Sequence, residues 1–168
     1  MMYDKMTKKD IERMEEEIEY RKLVVRKQAL EAVKEARAQG DLSENFEYHA
    51  AKKDKNQNES RIRYLERMIK TARVIESKSN TDEVGLDNTV KVYFEEDDEI
   101  ETFKLVTTVR GNSLKGMISI DSPIGKALLG HKVGDRVTVK VNEGYSYDVI
   151  VKAIENTVDD GSDQLRRF

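Results

Sequence analysis

From Ile11 to Ala72 apolar residues recur at steps of three and four, and after Thr89 they recur at every second position. A period near 3.6 belongs to helices and a period of two to strands, so the chain divides into a helical part and a sheet part. The helical series runs Ile11, Met14, Ile18, Val25, Ala29, Ala32 and Ala36, with one gap near Arg21. It resumes as Ile62, Leu65, Ile69 and Ala72. Between the two series lies Gln39-Gly40-Asp41-Leu42-Ser43. Gly40 suits the left-handed position after a helix, and Asp41 or Ser43 suits the cap of the next one. Residues 1–76 therefore read as a long antiparallel coiled-coil hairpin with an acidic tip near 40–47, opened by a capping box at Thr7 and Asp10. At 1.5 Å per residue its first arm reaches roughly 46 Å.

Residues 77–88 read as a linker, Ser-Lys-Ser-Asn-Thr-Asp and then Gly85. Beyond it, 89–94, 101–108, 136–141 and 145–154 alternate as strands. Glu95–Glu99 reads as a solvated loop, and Asn142-Glu143-Gly144 as a hairpin turn. Ser122-Pro123 starts a short helix that Gly130 ends. The expected class is α+β: the helical hairpin, then an antiparallel-sheet domain over 89–156 and a loose tail over 157–168.

Composition excludes several function classes. The chain has no cysteine and only two histidines, His49 and His131, so a structural zinc site and a thiolate nucleophile are not expected. No apolar run is long enough for a membrane span, and the first residues lack the apolar region of a secretory signal. Residues 1–78 hold 19 Lys/Arg against 16 Asp/Glu, and the remainder 11 against 17. Neither half is the polycation that coats duplex DNA.

The chemistry concentrates at the tip. Asp41 and Glu44 are three apart where the chain reverses, with Glu47 three further on. Two carboxylates on one helical face can hold a magnesium ion that takes its other ligands from elsewhere. The same Asp-x-x-Glu spacing is also a helix-capping pattern, so spacing alone leaves both readings open. Arg37 and Lys52, one on each arm below the tip, could bracket a phosphate backbone or belong to a solvated surface. His49 could serve as a general base, although a lone histidine on a helix reads more simply as surface or packing. Phe46 and Tyr48 could stack on a base, or pack the arms together at the turn, which is the simpler expectation.

The stretch Gly40-Asp41-Leu42-Ser43-Glu44-Asn45-Phe46-Glu47-Tyr48-His49-Ala50-Ala51 resembles the hairpin-tip signature of the bacterial Gre transcript cleavage factors. Ile118-Ser119-Ile120-Asp121-Ser122-Pro123-Ile124-Gly125-Lys126-Ala127-Leu128-Leu129-Gly130, followed by Gly134-Asp135, resembles their second signature. The hairpin lacks the strong basic character of the GreB branch and so is more similar to the GreA branch. The resemblance implies a hairpin that enters the secondary channel of RNA polymerase and an FKBP-like second domain that docks outside. It implies that Asp41 and Glu44 complete a shared magnesium site, where a backtracked RNA 3′ end is hydrolysed by the polymerase. It assigns RNA steering to Arg37 and Lys52 and polymerase docking to Ser122, Pro123, Ile124 and Gly125. The implied location is cytoplasmic, with no tightly bound cofactor in the isolated protein.

Two places depart from the family pattern. Phe46 stands where a small residue is expected, and residues 108–116 lack the expected Gly-x-x-Glu-Ala-Asp. Two alternatives follow: a Gre-like factor or divergent paralogue that blocks the polymerase, and an FKBP-like isomerase or chaperone with a helical handle. The sheet region has few aromatics for an apolar prolyl pocket.

Overall fold

The computed structural model describes residues 4–40, 45–77 and 82–167. They divide into a helical unit, residues 11–72, and a sheet unit made of residues up to 10 and from 73 onward. The class is α+β, as the change of period requires.

The first helix, α1 (Lys8–Tyr20), opens with the expected reciprocal cap. The Thr7 N–H donates to Asp10 Oδ2 at 2.9 Å, and the Asp10 N–H donates to Thr7 Oγ1 at 3.2 Å. A π-helical segment, Arg21–Val25, then joins α1 to α2 (Arg26–Ala38). There the Arg26 N–H donates to the Arg21 carbonyl, five residues back. One turn thus absorbs an extra residue, which accounts for the gap in the apolar series near Arg21. From Val25 the sheltered stripe continues through Ala29, Val33 and Ala36, while Ala32, expected within it, is exposed.

The returning arm, α3 (Phe46–Lys70), shelters Tyr48, Ala51, Lys55, Asn58, Ile62, Leu65 and Ile69. Alternating steps of three and four make this a heptad seam, although three of its members are polar. Buried Asn58 fits the π segment: its Nδ2 donates to the Arg21 carbonyl at 3.3 Å, and its Oδ1 accepts from Arg21 Nη1 at 3.0 Å. Ion pairs link the arms beside it. Arg61 meets Glu17 at 2.8 Å, Arg26 meets Glu59 at 2.7 Å, and Lys22 meets Glu66 at 3.0 Å. Such pairs are worth at most about 1 kcal/mol each when exposed, so their main effect is to fix register.

In the sheet unit a short parallel pair joins β1 (Lys5–Met6) to β2 (Arg73–Val74). The main sheet holds β3 (Thr89–Phe94), β4 (Glu99–Val106), β5 (Met117–Ser119), β6 (Arg136–Asn142) and β7 (Tyr145–Glu155). Its order is β5-β4-β3-β7-β6, antiparallel except between β4 and β5. Alternation places Val90, Val92, Val137, Val139, Val149 and Val151 in one core, with Leu128 from α4 (Pro123–Leu128). Strand β5 escaped the sequence reading because three residues are too few to show a period.

Two expectations are corrected. The end of the expected linker is core, since Val84, Leu86, Asp87 and Asn88 are all buried. Asn88 Oδ1 accepts the Gly85 N–H at 2.8 Å, which folds this segment back on itself. The tail is not loose. Arg110, fully buried, sits 2.6 Å from Asp10, 2.6 Å from Asp87, 2.9 Å from Asp163 and 3.9 Å from Asp159. The Arg166 N–H donates to the Val109 carbonyl at 2.7 Å, and the Thr157 hydroxyl to the Asp87 carbonyl at 2.6 Å. Burial alone would lower the Arg110 pKa, but the Asp87 bond and the Asp10 charge outweigh it and raise it. A charge this enclosed must be paired, and the tail supplies part of the pairing.

Candidate functional site at the hairpin tip

α2 ends at the Gln39 cap, and Gly40 follows with φ of 137°. The next helix begins at Phe46, and its cap is Asn45, whose Oδ1 accepts the Tyr48 N–H at 2.9 Å. The capping role expected of Asp41 or Ser43 therefore belongs to Asn45. The same side chain donates from Nδ2 to the Ala36 carbonyl at 2.5 Å, which ties the end of one arm to the start of the other. Sequence reasoning missed Asn45; the signal was its standing as a strong cap former just ahead of a helical run. Asp41 and Glu44 lie outside the described residues.

Arg37 and Lys52 are brought together around Tyr48. Arg37 Nη2 lies 3.4 Å from the Tyr48 hydroxyl, and the guanidinium carbon lies 5.6 Å from the ring centre. The Arg37 bond holds the phenol pKa below its ordinary value, with help from the charges of Lys52 and Lys55. Tyr48 is thus the centre of a cationic patch, a role that sequence reasoning did not assign. Lys52 belongs to the patch by its position one turn beyond Tyr48. His49 packs edge-on against Tyr48 at 5.5 Å between ring centres. Phe46 does not pack the arms: it is 85% exposed.

The residues proposed for docking lie at the start of α4. Ser122 Oγ accepts the Gly125 N–H at 3.1 Å, and Pro123 occupies the first turn. A Cβ on Gly125 would collide with the Ser119 carbonyl oxygen. Ser122 and Gly125 therefore have structural duties, while Pro123 is exposed and Ile124 is partly so. Among the described residues no group of three or more His, Asp or Glu side chains could hold a metal ion alone.

Residues 4–74 match the family model described as transcription elongation factor, N-terminal, and residues 78–156 the one described as transcription elongation factor, GreA/GreB, C-term. The transcription elongation factor GreA of Geobacillus kaustophilus is 46% identical over 150 residues, covering 89% of this chain and 93% of that protein. That of Bacillus subtilis is 42% identical over 147 residues, covering 88% and 94%. A crystal structure of GreA factor homolog 1 (Gfh1) of Thermus thermophilus is 27% identical, covers 92% of this chain and 99% of its own, and gives a TM-score of 0.42. With both models matched in chain order and relatives above 40% identity across most of its length, this chain belongs to the GreA/GreB family of transcription elongation factors.

Proposed function

We propose that this factor binds bacterial RNA polymerase, inserts its helical hairpin into the secondary channel and stimulates the polymerase's own cleavage of backtracked RNA. Catalysis belongs to the polymerase, and the factor lends it Asp41 and Glu44. One observation carries the assignment: Asn45 caps α3 and ties it to α2. The acid pair is then not required as the helix cap, and it sits on a chain segment whose two ends are joined.

The donor set fits magnesium, which takes hard carboxylate oxygens. Two carboxylates leave most of its six positions to polymerase groups, so the isolated factor is expected to bind the ion weakly. The chemistry that a bound magnesium supplies is polarisation of a water and neutralisation of charge developing at the scissile phosphate. Asp41 and Glu44 contribute the negative charge and oxygen donors for that site. Arg37 and Lys52 attract and orient the phosphates of the extruded RNA. Tyr48 accepts from Arg37, which leaves its own O–H free to donate to a phosphate oxygen. The sheet unit docks on the polymerase exterior through the exposed start of α4. The factor acts where the polymerase is, in the cytoplasm; no helix among the described residues is long and apolar enough to cross a membrane.

The test is RNA cleavage in stalled elongation complexes, with and without the factor. Faster release of short 3′ fragments is expected, with no cleavage of free RNA by the factor alone. Slower cleavage, or unchanged cleavage at saturating factor, would contradict the activator role; slowing would identify a channel-blocking relative.

A further inference from the structure

The matched family domain ends at residue 156, and the segment beyond it, residues 157–167, is nonetheless held down along its length. Its bonds run to segments far apart in the chain. The Thr157 hydroxyl bonds Thr89 at 2.8 Å and the Asp87 carbonyl at 2.6 Å. Lys104 Nζ meets the Val158 carbonyl at 3.4 Å and the Asp163 carboxylate at 3.3 Å. Lys9 Nζ donates to the Asp159 carbonyl at 2.6 Å. Asp163 lies 2.9 Å from Arg110, and the Arg166 N–H donates to the Val109 carbonyl.

These contacts converge on the first turn of α1, where the helical hairpin begins. Helix starts fray because their first N–H groups have no partner within the helix. Here the tail bonds Lys9 directly and reaches Asp10 through Arg110. Asp10 Oδ1 lies 2.6 Å from Arg110 Nε, while its Oδ2 accepts from the Thr7 N–H and, at 2.7 Å, from the Thr107 hydroxyl. Asp10 thus closes the capping box and anchors it to Arg110 at once. The tail places Asp159 and Asp163, both nearly buried, beside Nη1 of that guanidinium. Enclosure of this kind excludes water, and an ion pair is stronger where water is excluded.

We propose that residues 157–167 are a strap that holds the first turn of α1, so that work done at the hairpin tip depends on a segment outside the common body of the family. The dependence of the tip rests on the proposed function; the strap itself does not. A hairpin whose first turn opens and closes presents its tip less steadily, and loss of positioning lowers a rate without removing any reacting group.

The experiment compares the full chain with Asp159→Asn/Asp163→Asn, with a chain ending at residue 156, and with Asp160→Asn. Asp160 is exposed and bonded to Ser162, so its variant makes the same charge change away from Arg110. The first readout is hydrogen exchange at the Thr7 and Asp10 amides, both bonded within the capping box. Exchange there should quicken on the order of tenfold in the double variant and in the shortened chain, while the core of β3 and β7 exchanges as before. Asp160→Asn should match the wild type. Unchanged exchange at Thr7 and Asp10 would overturn the strap, as would an equal rise throughout the sheet unit or the same rise in Asp160→Asn. The second readout is stimulated cleavage in stalled complexes as factor concentration is raised. The double variant should lower the maximal rate and leave the half-saturating concentration where it was. A normal maximal rate alongside quickened exchange would overturn the dependence of the tip on the strap. A wild-type factor that stimulates no cleavage, with the exchange differences intact, would instead count against the proposed function.

Discussion

Gly125 and Arg110 are the residues on which the sheet unit depends most sharply. Gly125 lies so close to the Ser119 carbonyl that a methyl group has no room, and the obstacle is backbone that cannot swing aside. Gly125→Ala should therefore displace α4 and cost roughly 1–3 kcal/mol, read as a lower unfolding temperature. A variant that melts with the wild type would show that α4 shifts without penalty. Arg110 is held by carboxylates from the first helical turn, from the segment just before β3 and from the tail. Arg110→Met keeps the bulk and leaves Asp10 and Asp87 buried without their cation. The expected cost is about 3–5 kcal/mol, measurable by denaturant unfolding. A neutral result would mean that the fold does not depend on pairing these aspartates with a cation.

At the scale of elements, the hairpin has an acid-sensitive register. Burial alone would raise the Glu17 pKa, but bonds from Arg61 and Arg21 outweigh it and hold the carboxylate below its ordinary 4.5. A depressed carboxylate stabilises the fold above its ordinary pKa, and that contribution is lost as pH falls through the lowered value. Glu17→Gln should melt below the wild type at pH 7, and the gap should close as the pH falls below 4.5 and through the lowered value. A gap that persists in acid would assign the loss to packing rather than to charge. Local chemistry of this kind was legible from sequence: the Thr7–Asp10 box and the Ser122-Pro123 start each lie within one turn. The α3 seam was legible only in its lower half, because Tyr48, Lys55 and Asn58 occupy seam positions with polar side chains. The π segment registered only as a gap in a period. Residues 84–88 and the tail were misread because their partner, Arg110, is distant in the chain and no local pattern announces it. The acid pair and the two flanking cations stood out through the tip motif, whereas Tyr48, around which the cations gather, emerged only from its bonds.

For the whole molecule, the proposed function separates binding from chemistry. On this proposal the sheet unit and the length of the hairpin bring the factor to the polymerase, and side chains near the tip act there. Charge removal at Arg37 or Lys52 should weaken action on backtracked RNA while polymerase binding stays intact. Variants that cleave like wild type would return both residues to the solvated surface.

The central claim is that Asp41 and Glu44 serve the polymerase's metal site, and Asp41→Asn tests it most directly. The cap of α3 is Asn45, so thermal unfolding of the variant should match the wild type. It lacks the negative charge of a magnesium ligand, so stimulated cleavage in stalled complexes, followed across a magnesium titration, should fall on the order of 10²-fold or more. The variant should still compete with the wild-type factor for the polymerase. A stable Asp41→Asn protein that stimulates cleavage normally at every magnesium concentration would contradict the account.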